Sequence, residues 1–400
     1  MKSKWKSYDF TLLFTPLLLA CFGIVMIYSA SMVIAVVNEL EPTHFMFKQL
    51  QWFVIGSFFF VFCCFFNYRH YQKFMKLIIF LLIGLLIAVL FGEPVKGARS
   101  WLYVGGFTMQ PAEFVKLGLI MYLASIYSKK QDYIEDFNKA VLPPLIMTGI
   151  LLGLIVMQPD IGTAAIIFLI ACSVIFSSGI RFRHLFLLIL TGIGLVALAA
   201  SNMITDERLS RFTGAYQPFS QPEEEGYQLI QSYLAIGTGG FTGQGLGQGV
   251  QKLGYLTEAY NDFIMAVIAE ELGFIGVTIV IGMLATIVLR GIYISRKCQD
   301  SFGSLLALGI SSMIGIQTFI NLGAISGLLP ITGVPLPFVS YGGSSLLVLM
   351  ISVGILNNIA YKVKVREQNQ TVTKDLSDDK EYSPLYKSQL DVKRGKSWSN

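Results

Sequence analysis

The sequence predicts an all-α integral membrane protein of about ten transmembrane helices, both termini cytoplasmic, with a large outer loop between helices seven and eight. Three observations carry that prediction. Of the 400 residues, 54% are hydrophobic and only 14% charged, outside the range of soluble domains. The apolar residues gather into runs of about 20, the length that crosses a hydrocarbon core. The basic residues are uneven, 23 of 30 falling in alternate loops and at the two ends. Little chain is left for a soluble catalytic domain.

The runs fall at 10–37, 47–66, 74–91, 109–127, 140–157, 161–178, 185–201, 263–289, 302–322 and 338–361. The first is longer than a signal-peptide core and lacks a small-residue cleavage site, so it reads as a span. With the N-terminus inside, the inner segments carry Lys2, Lys4 and Lys6, then Arg69, Lys73 and Lys76, then Lys129, Lys130 and Lys139, then Arg181 and Arg183, then Arg290, Arg296 and Lys297, and nine more in the tail. The opposite orientation would place most of the charge outside. Residues 1–361 therefore form one polytopic membrane domain. The polar residues 362–400 have too little apolar surface to fold alone and are expected to be a disordered cytoplasmic tail.

The outer loop, about 202–261, carries Glu223, Glu224 and Glu225 and a glycine-rich stretch from Gly237 to Gly249. Between them, Tyr227 to Ile236 has the apolar spacing of a helix suited to the membrane interface. The glycine stretch lacks the Gly-Lys-Ser/Thr ending of a nucleotide loop and reads as tight, closely packed turns. Cys21, Cys63, Cys64 and Cys172 lie in apolar runs and Cys298 among basic residues, so neither a disulfide nor a zinc site is expected. His44, His70 and His184 stand at span ends without metal-ligand spacing.

Polar density is highest in the outer segments. Gln110, Glu113 and Lys116 fall at i, i+3 and i+6 around Pro111, one polar stripe at the start of the fourth span. Two readings stand for it: a functional charge lining a wet cavity, or a self-neutralising pair pinning helices together. Asp262, just before the eighth span, also has two, because an aspartate there is a preferred N-cap. Glu258 lies one turn earlier. Farther in, Glu270 is nearer that face and Glu271 points away. The segment Gly327 to Ser345 places three prolines, then Ser340, Tyr341, Ser344 and Ser345, at the start of the tenth span, and irregular backbone at that depth must be buried by protein or reached by water. Function therefore faces outward. Nucleotide sugars are cytoplasmic, so an outward-facing enzyme needs a donor activated beforehand and borne by the membrane.

Gly97-Ala98-Arg99-Ser100-Trp101, Gln110-Pro111-Ala112-Glu113-Phe114-Val115-Lys116, Gln158-Pro159-Asp160-Ile161-Gly162-Thr163, Gly245-Leu246-Gly247, the Glu258 to Glu271 stretch and Gly327 through Ser345 together resemble the SEDS family (shape, elongation, division and sporulation) of FtsW, RodA and SpoVE. The likeness runs from Tyr8 to Tyr361. Ser7-Tyr8-Asp9 and the polar tail look most like the Gram-positive FtsW branch. One departure is local: where the family often reads Leu-Pro-Glu-Ala-His-Thr-Asp, this chain has Leu256-Thr257-Glu258-Ala259-Tyr260-Asn261-Asp262.

The resemblance implies polymerisation of lipid II, the undecaprenyl-pyrophosphate-linked disaccharide peptide, into glycan strands. Asp262 would be the general base for the acceptor hydroxyl. Arg99, Lys116 and Lys96 would neutralise the pyrophosphate, with Glu113, Glu258, Ser340 and Tyr341 completing the substrate site. No cofactor is implied, and a divalent cation at Asp262 is left open. The implied partners are a single-spanning class B penicillin-binding protein, since the chain shows no Ser-x-x-Lys motif in a soluble domain, and other divisome proteins, with no nucleic acid. The implied location is the cytoplasmic membrane at the division septum. A lipid II flippase and a non-catalytic divisome scaffold are the alternative readings.

Overall fold

The computed structural model describes residues 7–93, 99–105, 107–180, 214–220, 222 and 226–394, with isolated positions between 183 and 194, and side chains as far as Gln370. Its elements are α1 (Phe10–Val37), α2 (His44–Phe65), the short α3 (Arg69–Lys73), α4 (Met75–Leu90), the hairpin β1 (Leu102–Val104) and β2 (Phe107–Met109), α5 (Pro111–Lys129), α6 (Leu142–Val156), α7 (Ile161–Ser177), α8 (Tyr227–Gly239), α9 (Ile264–Lys297), α10 (Ser301–Ile325) and α11 (Gly343–Arg394). Nine of the ten predicted runs coincide with helices; the seventh, 185–201, lies outside the described residues. Among the described residues, six helical stretches are long and apolar enough to cross a membrane, and Met75–Leu90 and Ile161–Ser177 are shorter apolar helices.

The helix starts follow local chemistry. Asp9 caps α1, accepting from the Thr11 and Leu12 amides; Asp160 caps α7 through Thr163 N; Asp300 caps α10 through Gly303 N. Pro111 opens α5, where its missing N–H costs nothing. Outward apolar side chains such as Phe80 (78% exposed) present the surface that lipid covers. Inside the bundle, small residues bring helices together: Gly309 of α10 faces Ile120 and Val174, and Gly23 of α1 faces the backbone of Phe338 and Val339.

At the end of the bundle that holds the start of α1, Asn357 exchanges hydrogen bonds with the backbone of Asp9, whose carboxylate pairs with Arg290 at 2.6 Å. Its neighbour Asn358 joins Tyr68 N and Cys64 O. Two adjacent amides on α11 thus lock α1 and α2 at that end.

The structure departs from the expected boundaries most at α9, which runs to Lys297 and not 289, and at the tenth span. The tenth span begins at Gly343, not 338, because Leu336 to Ser340 folds into turns in which the Ser340 hydroxyl accepts from Leu336 N. Phe338 holds φ 65° there, a left-handed conformation that a bulky residue keeps only when its surroundings enforce it. At its other end the helical backbone of α11 continues to Arg394.

Helix α9 is broken. Gly273 has φ 64° and ψ −161°, so the helix is two pieces, 264–272 and 274–297, joined across a kink. The carbonyls freed at the break accept from the glycine-rich loop: Gln244 N to Glu270 O and Gly245 N to Glu271 O, both 2.9 Å, while Phe274 N donates to Gly240 O. Interrupted helix at membrane depth needs such satisfaction. The loop approaches so closely that a Cβ on Gly243 or Gly273 would overlap the facing backbone.

Candidate active site

Residues 254–263 form consecutive turns leading into α9, and the first helical residue is Ile264. The N-cap position is Phe263, whose side chain makes no cap bond, so Asp262 stands one place too early to cap. The expectation of Asp262 as N-cap is corrected by that register, and Glu258 and Asp262 do not share a helical face. Asp262 is buried at 8% exposure. Its backbone carbonyl accepts from Asn321 Nδ2 of α10 at 2.7 Å, and the same amide donates to Val334 O at 2.8 Å. One asparagine therefore ties the aspartate's loop to the Gly327–Ser345 segment.

A second tie runs through the neighbouring residues. Tyr341 N donates to Tyr260 O at 3.0 Å, and the rings of Phe45, Tyr260 and Tyr341 pack with centroids 4.6 to 5.7 Å apart. Gln49 of α2 donates to Ser340 O and accepts from Gly342 N, gripping the turn from both sides. Burial first, and then the nearby Glu258 carboxylate, push the Tyr260 phenol up to about 12, so it stays protonated near neutrality. Glu258 accepts from Asn261 Nδ2 at 2.5 Å.

The stripe at the start of α5 reaches this region through its first residue. Gln110 N donates to Ser344 Oγ, and Gln110 Nε2 donates to Asp160. Glu113 and Lys116 form a salt bridge of 2.7 Å, both nearly fully buried. The arrangement is that of the self-neutralising pair, with the ammonium engaged by its own helix. Arg99 stands apart, exposed, donating to Leu90 O at the end of α4. Lys96 lies outside the described residues. The structure thus gathers Glu258, Asp262, Ser340 and Tyr341, joins the start of α5 to the Gly327–Ser345 segment through Gln110 and Ser344, and leaves the Glu113–Lys116 pair and Arg99 outside those contacts. Among the described residues, no group of three or more His, Cys, Asp or Glu could hold a metal ion.

Sequence reasoning missed the support beneath this loop. Glu270 does not face a cavity: its carboxylate accepts from Val250 N and Gln251 N. Glu271, expected to point away, accepts from Lys252 Nζ, Ser29 Oγ and Gly247 N. A signal was present, since Lys252 is the only basic residue between Arg211 and Arg290 and two adjacent glutamates in an apolar run need partners. Gln49 and Asn321 carried no comparable signal.

The profile of the FtsW/RodA/SpoVE family, described as cell cycle proteins, matches residues 10–365. The chain is 49% identical over 382 residues to the probable peptidoglycan glycosyltransferase FtsW of Bacillus subtilis, covering 92% of this chain and 94% of that one. It is 40% identical over 364 residues to the stage V sporulation protein E of the same organism, covering 90% and 99%. Among solved structures it resembles a chain of a peptidoglycan synthase complex that coordinates polymerization and crosslinking, at TM-score 0.73 and 26% identity, covering 89% and 98%. It also resembles the rod shape determining protein RodA of Thermus thermophilus, at TM-score 0.64 and 26% identity, covering 89% and 97%.

Proposed function

The chain belongs to the FtsW/RodA/SpoVE family of cell cycle proteins, and on that premise we propose that it is a peptidoglycan glycosyltransferase that polymerises lipid II during cell division. The observation that carries this reading is the position of Asp262: a buried carboxylate at the end of an outer loop, not serving as a helix cap, in a turn fixed from α2, α10 and the Gly327–Ser345 segment. The names of its relatives supply the reaction class.

In the proposed reaction a sugar hydroxyl of one substrate attacks the anomeric carbon of another. The new carbon–oxygen bond forms as the bond to the pyrophosphate breaks, inverting the centre to a β-1,4 link. Asp262 takes the hydroxyl proton, and undecaprenyl pyrophosphate leaves. Arg99, Lys96 and Lys116 are the proposed contacts to the leaving pyrophosphate, Lys116 only if the substrate draws its ammonium from Glu113. Glu258 positions, and Ser340 and Tyr341 shape the wall.

The multi-pass protein lies in the membrane, and the basic-residue distribution supports an outward-facing site; the septum is the place that a role in division implies. A class B penicillin-binding protein is the proposed crosslinking partner, by analogy with the complex that the fold resembles. Purified protein mixed with lipid II in detergent tests the reading. Strand formation without two compartments is the result expected of a polymerase; a flippase or a scaffold gives none.

A further inference from the structure

Beneath the catalytic loop lies a cluster of charge that the reaction does not use. Lys252 is 3% exposed, Glu271 0% and Glu270 2%. The Lys252 ammonium donates to Glu271 at 2.5 Å and to Ser29 Oγ of α1 at 2.7 Å, and Ser29 itself donates to Glu271. Backbone amides of Gly247, Val250 and Gln251 fill the remaining oxygens of the two glutamates. Gly249 is packed so closely on them that a Cβ would meet Glu270 Oε2 at 2.9 Å.

The two glutamates end the outer piece of the broken helix, the same piece whose other end is Ile264. Lys252 begins the run of turns that closes at Asp262, with Leu256 N bonded back to Gln251 O. The segment bearing Asp262 is thus held at both ends by one rigid piece of α9, and the lysine fastens that assembly to α1. Burying an ion pair gives little net stability, because desolvation offsets the Coulomb attraction. An apolar pair would serve a plain helix pin as well. What the charges add is direction, since Glu270 fixes the amides of Val250 and Gln251 and Glu271 fixes that of Gly247.

We propose that Lys252, Glu271 and Ser29 are positioning residues for polymerisation, which set the Asp262 loop against α1. The proposal rests on the reading of Asp262 as the base. Displacing a base by about 1 Å costs on the order of 10² in rate while leaving distant substrate contacts in place.

The test uses full-length protein purified with its transpeptidase partner, with kcat and KM for lipid II and thermal stability measured together. Lys252→Gln is expected to fold, to lower kcat about 10²-fold and to leave KM within about threefold; Lys252→Arg, which keeps the charge, recovers most of kcat. The paired change Lys252→Met with Glu271→Leu is expected to be stable and equally slow. Full kcat in the apolar pair makes the cluster a pin and overturns the proposal, as does failure of both Lys252→Gln and the pair to accumulate as monodisperse protein. Asp262→Asn run alongside separates the two levels. If Asp262→Asn is inactive while Lys252→Gln keeps full kcat, only the positioning role falls; an active Asp262→Asn overturns both.

Discussion

Asp9, Asp160 and Asp300 each stand one place before a helix and accept from its first free amides, whereas Asp262 stands two places before α9 and leaves the cap to Phe263. A single residue of register separates an aspartate at a cap position from one outside it, and a sequence pattern resolves helix starts less finely than that. Asp262 was therefore legible as a site residue only through its motif. Asn321 was not legible at all, being one amide in an apolar run, yet it holds Asp262 O and Val334 O together. Asn321→Ala leaves both carbonyls without that donor, and an orphaned buried acceptor costs about 1–3 kcal/mol. The variant is expected to melt at lower temperature in detergent and to lose turnover, which denaturation and polymerisation assays on one preparation check. Glu258→Gln keeps an oxygen for Asn261 Nδ2 and is expected to lose less than about tenfold in rate, against the 10² to 10⁴ typical of a missing base.

At the scale of elements, the broken helix organises the outer half of the molecule. The sequence showed an apolar run at 263–289 and a glycine-rich loop before it, and both are present. The break that joins them was hidden because Phe274, Ile275 and Val277 continue the apolar run past Gly273 without interruption. Glycine was equally ambiguous in sequence, marking a turn in the loop and a small packing residue in the span. Gly273→Ala tests the arrangement. A non-glycine residue at φ 64° costs about 1–2 kcal/mol, and its Cβ would also strike Gly243 N and Phe241 O. A lower melting temperature and faster proteolysis within 240–253 are expected; a wild-type melting curve would mean that the glycine loop does not hold the break. The opposite change in the inner half, Gly282→Ala, meets open space and is expected to be neutral or slightly stabilising.

For the whole molecule, the order of spans was plain from apolar runs and basic loops, since crossing a bilayer leaves a strong compositional trace. What joins the spans left almost none: the amides of Gln49, Asn321, Asn357 and Asn358 reach across the chain from within apolar helices. The orientation has a direct test. In a cysteine-free background, an impermeant thiol reagent applied to intact cells is expected to label Tyr255→Cys, half exposed in the outer loop, and to spare Lys129→Cys at the inner end of α5. The reverse pattern would turn the site to the cytoplasm and remove the reason for a lipid-borne donor. The central claim, that this membrane bundle polymerises lipid II with Asp262 as base, is met most directly by one comparison: purified wild-type and Asp262→Asn protein, each with a transpeptidase partner, given lipid II and scored for glycan strands. Because Asp262 stands outside the N-cap position of α9, the asparagine variant is expected to fold and bind its partner normally while losing at least about 10² in rate. Strands formed at the wild-type rate by Asp262→Asn protein would contradict the account.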